Sequence, residues 1–218
     1  MPRLAPFSLI ALAVAFNLPY ARLATVFDYP AILRQPGAEV LTAFAAGGPG
    51  LVLTWHAFAV AALAFVPVSM AHALEGERMA RMPGLAVAAA IAGALAGATQ
   101  GMGLLRWVMV VPEFARTGDV AGFAAFHAYA GVAIGEHLGM TLTALHVGLM
   151  AAMQGREGRR VAWLGALTAG LILGGAQEGV ALAVGLPGDA FGLMAIAGYL
   201  ALTVWMIASG VGLLRRPL

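Results

Sequence analysis

A chain of 218 residues that is 61% hydrophobic, contains 29 glycines and is only 10% charged lacks the polar surface of a water-soluble globule, where about 25% of residues are charged. With a mean hydropathy of +0.90, its expected solvent is lipid. The absence of cysteine excludes disulfides, thiolate metal sites and a cysteine nucleophile. The pI of 9.5 rests on 12 basic residues, all arginine, against 10 acids, with no basic run longer than two, so nucleic acid is not an expected partner.

A spanning helix needs about 20 apolar residues. The apolar runs place spans at residues 5–26, 50–73, 84–111, 121–153, 161–186 and 189–214 of one polytopic domain covering 1–218. The first run is longer than the about 7–15 residues of a signal-peptide core, and Arg22 stands where a cleavage site needs a small residue, so it reads as a retained span. Between the first two spans, Pro30, Pro36 and Pro49 punctuate the chain, and Val40, Leu41 and Phe44 share one helical face. That pattern predicts an interfacial helix over 37–46, lying on the outer leaflet.

In lipid, small residues mark helix contacts. Gly93, Gly97 and Gly101 recur on the third span, and Gly131, Gly135 and Gly139 on the fourth. Counting along an antiparallel hairpin predicts that Gly101 faces Gly131, Gly97 faces Gly135 and Gly93 faces Gly139. The fourth run is too long for one perpendicular span, which predicts strong tilt, extension beyond the hydrocarbon or a break near its glycines.

Arginine in short loops stays on the cytoplasmic side. Arg3, Arg78, Arg81, Arg156, Arg159, Arg160, Arg215 and Arg216 fall at one set of alternating ends, whereas the opposite loops carry Arg34 and Arg116. The expected fold is therefore an all-α integral membrane six-helix transmembrane bundle with N and C termini cytoplasmic.

Ionisable side chains inside spans cost at least about 2.5–3.5 kcal/mol on insertion scales and need a partner, water or a function. At about 1.5 Å per residue, His56, Arg106, His127 and Glu178 fall in one layer of the outer half, while Glu136 and His137 fall deeper. On an unbroken α-helix Glu136 is turned about 180° from His127, and His137 about 80°. These six residues form the candidate ligand-binding site, with Arg106 as an anion or counter-charge anchor, Glu136 as the protonatable group and the histidines as hydrogen-bonding or ligating groups. Gln100 and Gln177 are expected to bridge the two levels. His72 and His146 read as structural, and Arg106 has a plain alternative as the ion-pair partner of Glu178 or Glu113.

No zinc-binding His-Glu-x-x-His helix, nucleophile elbow or phosphate loop is present. Three readings remain open. The first is an outward-opening polar pocket with a small-ligand binding, sensing or transport-related role. The second is a haem or divalent metal site, with His56 and His127 as axial ligands or joined by Glu178. The third is an intramembrane enzyme using a Glu and His acid–base pair.

The segments Asp28-Tyr29-Pro30-Ala31-Ile32-Leu33-Arg34, Leu105-Arg106-Trp107 leading to Val111-Pro112, and Phe126-His127-Ala128-Tyr129 through Gly135-Glu136-His137-Leu138-Gly139 resemble a bacterial family of small multi-pass membrane proteins classified as a domain of unknown function. The resemblance covers nearly the whole chain and implies a six-helix bundle in the bacterial inner (cytoplasmic) membrane. It implies no activity.

Overall fold

The computed structural model describes residues 4–215, which are all-α with no strand among them. Arg3 and Arg216, two of the arginines used to orient the chain, and the chain ends themselves lie outside the described residues. The helices are α1 (Leu4–Val26), α2 (Gly37–Ala73), α3 (Gly76–Arg81), α4 (Pro83–Met109), α5 (Val111–Thr117), α6 (Val120–Phe126), a π-helical stretch (His127–Leu138), α7 (Gly139–Arg156), α8 (Val161–Gly175), α9 (Glu178–Ala183) and α10 (Asp189–Leu214). Five stretches, at Pro6–Val26, Gly37–Ala73, Pro83–Thr117, Val161–Ala183 and Asp189–Leu214, are long and apolar enough to cross a membrane, and they mark a multi-pass membrane protein. Residues 120–156 are also helical but divided among α6, the π stretch and α7, and they are not among those five.

Local sequence explains the breaks. In α2 the path turns at Gly48, whose φ of 57° and ψ of −159° are non-helical, and Pro49 follows. The part of α2 before the turn buries Val40, Leu41 and Phe44. Gly118 ends α5 in the left-handed conformation, and the Asp119 carboxylate accepts the Gly122 N–H at 2.9 Å to cap α6.

Neighbours close into a ring: α1 packs on α2, α2 on α4, α4 on α7, α7 on α8, α8 on α10 and α10 back on α1. Two apolar clusters fill it. One is aromatic, built on Phe27, Phe44, Trp55, Trp107 and Phe123. The other, towards the α3 end, is built on alanines, Met150, Met153, Trp205 and Met206.

The glycines pack differently from the predicted seam. A Cβ on Gly97 would meet the Ala62 carbonyl at 2.9 Å and one on Gly101 would meet Leu63 at 2.5 Å, so this stripe faces α2. The close approach between α4 and the π stretch is made by Gly103 instead, whose Cβ would sit 2.6 Å from the Gly135 Cα. Counting failed because a stripe of small residues marks a contact face without naming the neighbour, and on α4 that face is turned to α2.

At the α3 end, Arg78 is 1% exposed and donates to both Glu157 oxygens, at 2.6 and 3.2 Å, and to the His72 carbonyl. It ties the α2–α4 corner to the turn between α7 and α8. Beside it, Gln154 donates to Ser209 at 3.1 Å and accepts from the Trp205 indole at 3.1 Å.

Two substitutions test this packing in thermal unfolding. Gly135→Leu drives a branched side chain into the Gly103 backbone and lowers folded yield and melting temperature, whereas Gly170→Ala, where a Cβ meets nothing within 4 Å, leaves stability equal or slightly raised. Arg78→Ala removes the two short contacts to Glu157, leaving that largely buried carboxylate with Arg159 at 3.7 Å, and costs about 1–3 kcal/mol; a melting temperature unchanged from wild type would show that the clasp is dispensable.

Candidate functional site

The ring surrounds a partly open cavity of about 540 Å³, lined by residues of α1, α2, α4, the π stretch, α7, α9, α10 and the 29–34 segment. Its wall is largely aromatic and aliphatic, with Phe16, Trp55, Phe58, Phe65 and Trp107 prominent. Charged groups gather at the end nearest the α1–α2 connection. There the chain folds back through Tyr29 into a short 3-10 turn, Ala31–Arg34, anchored by buried Phe27 and Ile32. Tyr29 packs edge-on against Trp55 at 5.3 Å, and Trp55 stacks on Trp107 at 4.8 Å.

Arg34 closes this end. Its Nη2 donates to Glu136 Oε2 at 2.7 Å and its Nε donates to Glu178 Oε1 at 2.9 Å, joining the connection to the π stretch and to α9. Burial opposes the Arg34 charge, but the hydrogen bonds and proximity of Glu178 and Glu136 outweigh it and hold the guanidinium more firmly protonated than usual. Burial, reinforced by the Glu136 charge, raises the Tyr29 phenol, which therefore stays neutral.

Arg106 stands on the cavity wall, 5% exposed. Its Nη1 donates to the Gly103 carbonyl, its Nη2 lies 3.4 Å from His127 Nδ1, and its guanidinium sits 5.1 Å from the centre of the Trp107 ring. A guanidinium can only donate, so Nδ1 accepts and the His127 proton is on Nε2. Among the described residues Arg106 has no carboxylate within ion-pair distance, because Glu178 is held by Arg34 and Glu113 by Arg116. Gly131 makes room for it, since a Cβ there would lie 2.7 Å from Nη2.

The π stretch assembles these groups. With i→i+5 bonding each residue turns roughly 80° rather than about 100°. The nine steps from His127 to Glu136 then make about two full turns, and both residues come to one side instead of opposite sides. Hence one face presents His127, Gly131, Gly135 and Glu136 to Arg106 and Arg34. One guanidinium also holds both Glu136 and Glu178, which the depth count puts at different levels.

Of the six expected site residues, Arg106, Glu136 and Glu178 line the cavity. His127 stands behind Arg106, between Trp107 and Phe123. His137 turns away, with Nδ1 2.7 Å from the Ala176 carbonyl, and His56 is exposed and does not line the cavity. No group of three or more His, Asp or Glu side chains with metal-holding geometry occurs among the described residues, and exposed His56 lies apart from the cavity that Glu178 lines. Gln100 donates to Thr143 at 2.6 Å inside the cavity, whereas Gln177 bonds its own helix at Leu173. His146 is buried against the Ala89 carbonyl.

Comparison with known families settles one expectation. A family model described as a domain of unknown function (DUF4386) matches residues 4–210. The chain belongs to the DUF4386 family. No curated protein and no solved structure matches it. The three segments that carried the resemblance all reach this site in the DUF4386 fold: Tyr29 and Arg34 from the first, Arg106 and Trp107 from the second, His127 and Glu136 from the third.

Arg34 is the participant that depth counting missed, because it lies in a connection. Its signal was the imbalance of two intramembrane carboxylates against a single intramembrane arginine nearby. Arg34→Gln removes both ion pairs and is expected to cost about 1–3 kcal/mol, discounted for partial exposure. The double variant Arg34→Gln/Glu178→Gln recovers part of it. Thermal unfolding of the two variants beside wild type decides this, and equal melting temperatures for wild type and Arg34→Gln would show that the latch adds no stability.

Proposed function

We propose that this protein binds a small ligand in the central cavity, in a sensing, carrier or accessory role, as a six-span protein of a bacterial inner membrane with both termini in the cytoplasm. The observation that carries the reading is the partly open cavity of about 540 Å³ with the buried Arg106 guanidinium, which has no carboxylate within ion-pair distance among the described residues, on its wall. Sites for small molecules are concave and mostly apolar, with few placed polar groups, and this volume lies within their usual range of about 300–1,000 Å³.

The asymmetry of loop arginines supports the orientation. It puts the Arg78 clasp on the cytoplasmic side and the Arg34 closure on the outer side. The kinked start of α2, over 37–46, then lies along the outer leaflet, with Val40, Leu41 and Phe44 turned into the aromatic cluster. In this reading Arg106 is a counter-charge and wall donor, Glu136 and Glu178 are closure carboxylates, His127 orients Arg106, and His137 and His56 are outside the pocket. The acid–base reading loses its pair, because Glu136 faces Arg34 while His137 faces Ala176.

Native mass spectrometry of gently purified protein tests the binding role. Wild type is expected to carry a bound small molecule. Ala62→Phe, which fills the cavity from a fully buried wall position, is expected to lose it while still folding. A bare wild-type mass, or an adduct that persists in folded Ala62→Phe, would overturn the reading.

A further inference from the structure

We propose that the occupant of the cavity is an acyl chain of a neighbouring membrane lipid. The inference rests on the ligand-binding reading above and names the ligand class.

The mouth of the cavity is the first observation. Leu193 and Leu200 line the cavity and are also 67% and 54% exposed, so the cavity reaches the outer surface of the ring beside α10. Seven residues apart, they share one face of that helix. On α1 the cavity is lined by Asn17 and Tyr20. Further from Asp189 the two helices close on each other, because Asn17 donates to Thr203 at 2.9 Å and a Cβ on Gly210 would lie 2.8 Å from the Pro6 carbonyl. Leu193 and Leu200 therefore open the cavity on the Asp189 side of that seam.

Depth is the second observation. When α10 stands upright, a hydrocarbon core of about 30 Å reaches to within about 5 Å of each end of its 26 residues. Leu193 and Leu200 lie about 6 and 16 Å along the helix from Asp189, which is hydrocarbon depth. There is no water at that level, and the molecules in front of the mouth are lipid tails. A wall without neighbours forfeits dispersion contacts, and a flexible acyl chain restores them without burying a charge.

The wall suits such a chain. Phe16, Phe58 and Phe65 offer rigid apolar surface, and the polar side chains near them are bonded to one another, Asn17 to Thr203 and Gln100 to Thr143 at 2.6 Å. They ask nothing of a guest. The charged side chains keep to the end nearest the α1–α2 connection, so the polar head of the lipid belongs at that end and its tail runs towards Met140 and Met206.

The test uses the full chain in nanodiscs of phosphatidylcholine with either plain or dibrominated acyl chains, since bromine quenches indole emission at short range. Trp163 is exposed on α8 and reports the surrounding lipid in any case, so Trp163→Phe is the background throughout. Of the three remaining tryptophans, all buried, Trp55 and Trp107 line the cavity and Trp205 does not. With two of three emitters on the cavity, brominated discs are expected to lower emission about twofold relative to plain discs. Adding Ala62→Phe, which fills the cavity, brings the two discs close to equal emission. Ala13→Phe, a buried wall position on α1, repeats the comparison if Ala62→Phe does not fold. Equal emission from the two discs in the Trp163→Phe background, or quenching that persists in a folded filled variant, overturns the acyl-chain assignment. If native mass spectra then show a non-lipid adduct, the ligand-binding reading stands without it; if they show a bare mass, both fail.

Discussion

The reach of one arginine from a connection into the helical ring organises the Arg34 end of this protein. Arg34 neutralises Glu136 and Glu178 together, and two carboxylates on the wall of one cavity inside an apolar bundle would otherwise repel each other and each pay for leaving water. Two conditions must hold for that contact to form. The connection has to fold back over the ring, which the burial of Phe27 and Ile32 and the packing of Tyr29 on Trp55 achieve. Glu136 also has to point towards the connection, which the π winding achieves. The ion pair is thus a result of packing and helix geometry, and it depends on both.

Much of the architecture was readable from composition because lipid imposes so simple a rule: spans must be long, apolar and helical. The all-α class and the apolar character of the long helices followed from hydropathy, and the rarity of charge singled out Arg106, Glu136 and Glu178 as residues to look for. What stayed hidden was rotation. A twelve-residue π stretch has no signature in residue type, and it reverses the facing of every side chain after it relative to an α-helical count. The winding accounts for Glu136, rather than His137, sharing the face of His127, whereas Gly101 misled because a stripe of small residues does not say which neighbour it meets, and on α4 it faces α2. His56 misled for a plainer reason. Depth along a span says nothing about azimuth, and its position on α2 is exposed.

The two ends of the ring are closed by the same chemistry at different strengths. Arg78 is fully buried, bidentate on Glu157 and backed by a backbone carbonyl and a Gln154–Ser209–Trp205 chain. Arg34 is about a third exposed and divides its donors between two carboxylates on separate elements, one of them the short α9. Buried bidentate pairs lose far more on separation than partly hydrated ones.

The same small residues that draw the helices together also make the space between them. Gly103 and Gly135 form a close backbone approach in the ring, and both line the cavity; Gly131 lines it too and admits the Arg106 guanidinium. A side chain at any of these positions would fill the enclosure from one wall and push α4 away from the π stretch. Small residues hold helices together in lipid because there is no water to expel and close contact is the available attraction. Here that attraction acts on one side of the ring, while Trp55, Phe58 and Phe65 from α2 and Phe16 from α1 stand opposite and prop it open. A cavity with tight helix contact on one wall and rigid aromatic rings on the other is held open by packing rather than by charge.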